Sequence, residues 1–184
     1  MTRIYAPRAP RTPRPRRWLP LLRPACGALL AAACALAAAA DLEPRQAKVV
    51  FVCEHGSAKS LVAASLFNRI AEERGLSVRA ISRAVSEKTV DHSVPAPLVK
   101  NMAQDGFEVG GFTPVPLRAE EAAHADQVVV IAYDGAVDSA AGAPVEHWND
   151  IAPVGTEYAT ARDRLQSHIE QLLLKVGQPA VPAR

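Results

Sequence analysis

The sequence predicts an α/β fold in which a small, open, parallel β-sheet of about four strands is flanked by helices on both faces. Three observations lead to this prediction. Short runs rich in Val and Ile alternate along the chain with longer segments of helical periodicity. The strand-like runs are continuously apolar, as is typical of strands covered by helices on both sides. About 140 residues follow the first forty, enough to bury one core without disulfides.

The first strand–helix–strand unit is predicted from residue 48 onward. Residues 48–52 (KVVFV) form a short β-branched run that suits a buried strand. Residues 60–74 are predicted to be helical and to end at Gly75, because apolar side chains recur there at helical spacing: Ala63, Leu66, Phe67, Ile70 and Ala71. Residues 77–82 are predicted to form the second strand.

Three further elements follow before the last strand. Pro95 and Pro97 favour the start of a helix that closes at Gly106. A short helix is predicted over residues 119–125, and residues 127–132 (QVVVIA) are the clearest strand of the chain.

The last strand and helix complete the predicted domain. Residues 145–148 suit a brief strand, and apolar side chains then step by three and four residues from Tyr158 to Val176, before Gly177 and Pro179. We therefore predict a domain over residues 47–177, a polar lead-in over 41–46 and a tail over 178–184.

Residues 1–40 predict a signal peptide. Seven Arg and no acidic residue lie in this stretch, and residues 24–40 are uncharged, with ten Ala among 17 residues. Ala38 to Ala40 provide small residues for cleavage before Asp41. The expected location is secreted or periplasmic after cleavage. The alternative is a retained membrane anchor, the only case in which contact with a membrane is expected.

The distribution of charge argues against a nucleic-acid partner. The whole chain has a formal net charge of +2, but residues 41–184 contain 14 basic and 19 acidic residues. Binding to a phosphate backbone needs clustered positive charge on the folded domain. No nucleic-acid partner is therefore expected.

One cysteine follows the predicted signal. Cys26 and Cys34 lie within residues 1–40, so Cys53 is left without an intrachain disulfide partner. It is either a small buried hydrophobe or a reactive thiol. A metal site is not expected either, because the histidines outside the loop at Cys53 show no ligand spacing: His92, His124, His147 and His168.

The chemistry is predicted to lie in residues 53–60 (CEHGSAKS), hereafter the cysteine loop, between the first strand and the first helix. Ligands of open α/β sheets bind beyond the carboxyl ends of strands. A loop that winds directly into a helix aims several backbone N–H groups at one point, which predicts an anion site. Its positive potential favours the thiolate form of Cys53. Lys59 can reach the same anion, and the Ser60 hydroxyl can donate to the sulfur.

Residues 49–60 (VVFVCEHGSAKS) resemble the low-molecular-weight protein tyrosine phosphatases and the related thioredoxin-coupled arsenate reductases. That family has Cys, five residues, Arg and then Ser or Thr between a first strand and a first helix. The resemblance runs from about residue 47 to residue 176. It includes residues 81–83, residues 125–129 and the loop 148–153.

The resemblance implies hydrolysis of aryl phosphate monoesters, including protein phosphotyrosine, through a cysteinyl-phosphate intermediate. It assigns the attack on phosphorus to Cys53, and the binding of the phosphoryl oxygens to Lys59 and the loop amides. The substrate-binding residues that it implies are Glu54, His55, Gly56, Ser57, Ala58 and Ser60. An aspartic acid would protonate the leaving group, and neither a metal nor an organic cofactor is needed. The expected partner is phosphate or another tetrahedral oxyanion, carried by a phosphorylated protein or a small aryl phosphate.

The chain departs from the family pattern at several positions. Lys59 replaces the Arg, which keeps the charge but loses the planar fork that grips two oxygens. His55 and Gly56 stand where the family has Gly and Asn, and that Asn braces the loop. His55 is either a proton donor or a surface residue. The family places its acid directly before a Pro, where this chain has Ala152. The nearest carboxylate, Asp150, is predicted either to serve as the acid or to cap a turn.

Two other functions stay open beside the phosphatase. One is a binding module that holds an oxyanion without turning it over. The other is a thiol-dependent arsenate reductase. No cysteine follows Cys53, so reduction would need an external thiol to resolve a Cys53 adduct.

Overall fold

A four-stranded parallel sheet lies at the centre of residues 47–177, the part of the chain that the computed structural model describes. The predicted signal, lead-in and tail lie outside the described residues. In chain order the elements are β1 (Ala47–Cys53), α1 (Lys59–Glu73), β2 (Val78–Ala84), α2 (Ala96–Gln104), α3 (Ala119–Ala123), β3 (Gln127–Ile131), a 3-10 turn (Asp138–Ala140), β4 (Val145–Trp148) and α4 (Tyr158–Val176).

The first strand lies in the interior of the sheet, between β2 and β3. The strand order is β2-β1-β3-β4 and every pairing is parallel. Val50 of β1 is paired with Ile81 of β2 on one side and with Val128 of β3 on the other. Parallel neighbours require crossover connections, and the helices supply them. The predicted α/β fold with a small parallel sheet is confirmed.

Alternation along the strands divides the core into two layers. One face of the sheet packs against α1, α2 and α4, and its strand residues are Val49, Phe51, Cys53, Val129 and Ile131. The other face packs against α3 and the loops around it, with Val50, Val52, Val128 and Val130. Because both faces are covered, all of these side chains are buried. This explains why the strands read as continuous apolar runs.

Two element boundaries differ from the sequence prediction by two residues. β2 continues to Ala84, two residues beyond the predicted end at Ser82. Arg83 interrupts the apolar pattern but stays in the strand, because its guanidinium donates to both carboxylate oxygens of Glu121. The helix α3 ends at Ala123 rather than at residue 125.

Among the helices of residues 47–177, none has both the length and the apolar character needed to span a bilayer.

Candidate active site

A pocket of about 260 Å³ opens at the edge of the sheet where β1 and β3 end. Cys53, the last residue of β1, lines it together with Ile131 and Ala132 at the end of β3. The loop after β4 contributes Pro153 and Val154. The carboxyl edge of a parallel sheet is the usual place for a ligand in such folds, so the pocket is where the sequence places the chemistry.

Cys53 is a buried residue of the pocket lining, and its thiol is linked to two buried hydroxyl groups. Its side chain is 5% exposed. The sulfur lies 2.9 Å from the Ser60 hydroxyl oxygen, which lies 2.8 Å from the hydroxyl oxygen of Ser82 on β2. Ser82 also lies 2.9 Å from the carbonyl oxygen of Gly56. The sulfur is therefore one end of a hydrogen-bonded chain that crosses from β1 to β2.

The direction of the hydrogen bonds in this chain suits a charged sulfur. Each hydroxyl has one hydrogen to donate. Ser82 directs its hydrogen towards the Ser60 oxygen and the Gly56 carbonyl, which leaves the Ser60 hydrogen free for the sulfur. With a thiolate, Ser60 therefore donates to the sulfur while it accepts from Ser82. The network can thus stabilise a thiolate without moving a heavy atom.

The backbone of the cysteine loop is held from the outside through four consecutive carbonyl groups. The Cys53 carbonyl accepts from the Val85 amide at 3.1 Å, and the Glu54 carbonyl from the Thr89 hydroxyl at 2.8 Å. The other two bonds complete the series: the His55 carbonyl accepts from the Asp91 amide at 3.1 Å, and the Gly56 carbonyl accepts from Ser82. A trans peptide points its N–H opposite to its C=O. The amides of residues 54–57 therefore lie on the other side of the loop, as an anion site requires.

Gly56 is the one residue of this loop with a positive φ, at +72°. A Cβ atom there would lie 2.7 Å from the Ala84 nitrogen and 3.1 Å from the Arg83 carbonyl carbon. The backbone of the loop therefore packs directly on the end of β2. Only glycine fits this position without strain.

Lys59, Glu54 and His55 line the mouth of the pocket. The Lys59 ammonium has no hydrogen-bond or ion-pair partner among residues 47–177, so its charge is available to a ligand. Glu54 and His55 are about half exposed, with the carboxylate 3.9 Å from the ring Nδ1. The lining of the pocket therefore contains an unpaired lysine as well as the cysteine.

Asp150 lies outside the lining of this pocket and is bound to α4. Its carboxylate accepts hydrogen bonds from the Arg164 guanidinium and, at 2.8 Å, from His168 Nε2. Partial burial raises the pKa of Asp150, but the hydrogen bonds from His168 and Arg164 outweigh it, so the pKa lies below its ordinary value. A carboxylate held in this way is a poor proton donor near neutral pH. Its role as the general acid stays a prediction.

The other members of the implied set occupy two levels of the loop. Ala58 lines the pocket, whereas Gly56, Ser57 and Ser60 are buried beneath it. The Ser57 and Ser60 hydroxyls are already bound to other side chains of the protein, so a ligand would meet the backbone of these residues rather than their side chains.

Four residues near the site were not found by sequence reasoning. Ser82, Thr89 and Asp91 contact the cysteine loop, and Ala132 lines the pocket with a φ of +46°. A non-glycine residue in this region costs about 1–2 kcal/mol, and such strain concentrates at functional sites. Nothing local in the sequence marks the first three, because the loop residues to which their side chains bond are 22–35 positions away.

Within residues 47–177, no three His, Cys, Asp or Glu side chains are grouped as metal ligands.

The family follows from a match along most of the described chain. A family model described as low molecular weight phosphotyrosine protein phosphatase matches residues 48–171. The chain belongs to this family. The resemblance predicted from the cysteine loop is thereby confirmed for the domain as a whole. A search of curated proteins finds no match to the chain.

Solved structures show the same fold. An arsenate reductase from Archaeoglobus fulgidus is 26% identical, with a TM-score of 0.53 over 71% of this chain and 99% of that one. A low molecular weight protein tyrosine phosphatase from Bacillus subtilis is 22% identical, with a TM-score of 0.55 over 70% and 97%. An arsenate reductase described in its phosphate-binding state is 20% identical, with a TM-score of 0.58 over 71% and 98%. Phosphatases and arsenate reductases thus share this fold.

Proposed function

We propose that this protein hydrolyses aryl phosphate monoesters, including phosphotyrosine in proteins, through a cysteinyl-phosphate intermediate. The observation that carries the proposal is the position of the Cys53 sulfur. Cys53 lines a pocket, its sulfur lies within hydrogen-bond distance of Ser60, and the loop that follows it has its amides 54–57 on one side. A tetrahedral oxyanion needs such a set of donors around the attacking atom.

The reaction divides into two displacements at phosphorus. The Cys53 thiolate forms a sulfur–phosphorus bond while the bond to the aryl oxygen breaks, and that oxygen takes up a proton. Water then attacks phosphorus and gives a proton to the residue that protonated the aryl oxygen, the sulfur–phosphorus bond breaks, and phosphate leaves. The loop amides and Lys59 hold the three remaining oxygens in both steps. The Ser60 hydroxyl stabilises the sulfur as a leaving group in the second step.

Two side chains compete for the role of proton donor. Asp150 can act only after leaving its bonds to Arg164 and His168. His55 already lines the pocket, and its Nδ1 faces the Glu54 carboxylate, which leaves Nε2 for the substrate. The geometry therefore favours His55 over the aspartate that the sequence predicts.

The test is hydrolysis of p-nitrophenyl phosphate by the purified protein. Turnover that vanadate inhibits and that Cys53→Ser abolishes is expected. Lys59→Met should reduce kcat/KM about a hundredfold or more, whereas Lys88→Met, an exposed lysine outside the pocket, is the matched control. A wild-type protein without turnover would refute the proposal. If phosphate nevertheless raised its Tm in a Lys59-dependent way, the protein would be an oxyanion-binding module.

A second substrate identifies the proton donor. Phenyl phosphate has a much poorer leaving group than p-nitrophenyl phosphate, so loss of the acid slows phenyl phosphate more. His55→Gln is expected to widen the ratio of the two rates, and Asp150→Asn to leave it unchanged. The opposite result would restore the assignment to Asp150.

Arsenate reduction is the second candidate, since an arsenate reductase is 26% identical to this chain. Cys53 is the one cysteine among the described residues. Reduction would therefore consume two molecules of an added thiol. The first attacks the sulfur of the Cys53–arsenate adduct, which releases arsenite and leaves a mixed disulfide on Cys53, and the second attacks that disulfide, which frees Cys53 and forms the disulfide of the added thiol. Arsenite release with glutathione, without phosphatase turnover, would favour this function.

We also propose export through residues 1–40, which N-terminal sequencing of the cell-derived protein would test.

A further inference from the structure

We propose that Asp91 is a positioning residue for the cysteine loop, which it holds in the shape that binds an oxyanion. Asp91 lies in the β2–α2 segment (residues 85–95), on a different crossover from the loop that it contacts. The inference rests on the proposed function in one respect, that the loop amides bind a phosphate-like ligand. It adds a residue that neither the cysteine motif nor the pocket lining contains.

Asp91 contacts the loop through both its backbone and its side chain. Its amide donates to the His55 carbonyl at 3.1 Å. Its carboxylate accepts the hydroxyl hydrogen of Ser57, a loop residue with no exposed surface. Two residues earlier, the Thr89 hydroxyl donates to the Glu54 carbonyl at 2.8 Å. Residues 54–57 are therefore held from one side by Thr89 and Asp91.

These contacts act directly on the peptide groups that would face a ligand. The Glu54 and His55 carbonyls belong to the peptide units whose N–H groups come from His55 and Gly56. Rotating either unit away from the β2–α2 segment would turn its N–H away from the anion site. The contacts thus determine where two of the four amides point.

The Asp91–Ser57 bond joins a side chain of the segment to a side chain of the loop, whereas the Thr89 side chain contacts only the backbone of the loop. Residues 85–95 contain no helix or strand, so hydrogen bonds within the segment do not fix it against the loop. A bond to an ionised carboxylate is about twice as strong as one between neutral groups. The donor is the buried hydroxyl of Ser57, which cannot easily bond to water when the Asp91 carboxylate is removed. Losing it should loosen the loop rather than unfold the sheet, since it joins no core elements.

The test uses inorganic phosphate as the probe and isothermal titration calorimetry of the folded protein as the readout. Asp91→Ala and Ser57→Ala each remove the bond from one side, and each is expected to weaken phosphate binding about tenfold. The double variant should bind no more weakly than either single one, because both changes remove the same bond. Asp91→Asn keeps an acceptor and should stay within about twofold of the wild type.

The control variant is Glu87→Ala, which removes a carboxylate from the same segment. Glu87 is exposed and has no bond to the cysteine loop, so phosphate binding should not change. A second readout is the pH midpoint of Cys53 alkylation by iodoacetamide. It should rise in Asp91→Ala and stay in place in Glu87→Ala, because disordered amides no longer favour the thiolate. A purely structural role would lower Tm in Asp91→Ala without moving either readout.

The outcomes separate this inference from the proposed function. If wild type and a folded Asp91→Ala protein bind phosphate equally, or if Asp91→Asn is as weak as Asp91→Ala, the positioning role is wrong. If Asp91→Ala weakens binding but the wild type hydrolyses no aryl phosphate, the positioning role holds and the proposed turnover is wrong. A wild type that binds no phosphate would overturn both.

Discussion

Substituting Gly56 by Ala tests the close approach on which the geometry of the cysteine loop depends. The residue has a φ of +72°, and left-handed backbone costs an alanine about 1–2 kcal/mol. The new Cβ would also lie 2.7 Å from the Ala84 nitrogen, and that amide donates to the Val115 carbonyl at 2.9 Å. Relief of the clash therefore strains a second hydrogen bond, at a further cost of about 1–3 kcal/mol. The expected total is about 2–5 kcal/mol.

Gly75→Ala is the matched control for that experiment. Gly75 follows α1 with a φ of +65°, and a Cβ atom at this position would have no other atom within 4 Å. The free energy of unfolding of Gly75→Ala should therefore fall only by the cost of left-handed backbone for an alanine, about 1–2 kcal/mol. Urea unfolding of both variants gives the two free energies, with the m-value as a check on two-state behaviour. If Gly56→Ala costs no more than Gly75→Ala, the loop does not pack on the end of β2 as described, and this contact does not fix its shape.

Three other changes probe the cation, the ion pair and the core. Lys59→Arg restores a planar fork, so kcat/KM for p-nitrophenyl phosphate is expected to rise about tenfold or more in steady-state assays. Asp150 has a lowered pKa in the folded protein, so its stabilising effect is present above its ordinary value of 3.8 and is lost as pH falls below it. When the pH is lowered from about 6 to about 3, the free energy of unfolding measured in urea should therefore decrease less for Asp150→Asn than for the wild type. Leu165→Ala opens a cavity at a fully buried position of α4 and should cost about 2–5 kcal/mol in urea unfolding. Leu174→Ala, on the same helix but 70% exposed, should stay within about 0.5 kcal/mol.

A specific result would contradict each of these three predictions. A Lys59→Arg protein no faster than wild type would mean that the loop is shaped for a single ammonium group. An Asp150→Asn protein with an unchanged acid dependence would mean that its bonds to α4 do not persist in solution. Equal losses for Leu165→Ala and Leu174→Ala would contradict the packing of α4 against the sheet.

Several elements could be predicted from the sequence because their signals are local. The run 48–52 is apolar at every position after Lys48, as a strand buried on both faces requires, and β1 is an interior strand of the sheet. The apolar spacing predicts the last helix from Tyr158 to Val176, and α4 occupies that range, because this spacing and the glycine that follows it are both short-range features. The end of β2 is predicted less well. The charged side chain of Arg83 indicates the end of the strand, and only the tertiary structure shows that Glu121 lies beside it as a partner.

By itself, the sequence determined the order of strands and helices and the place of a thiol, an amine and a hydroxyl in the turn between β1 and α1. These are properties of neighbouring residues, which periodicity and motif spacing report directly. Tertiary structure alone decided what surrounds that turn. The parallel crossover brings Ser82, Thr89 and Asp91 against a loop 22–35 positions earlier, and Asp150 is bound to Arg164 and His168 outside the pocket lining. Side-chain contacts between separate crossovers depend on how the sheet pairs, and no local pattern in the chain encodes that pairing.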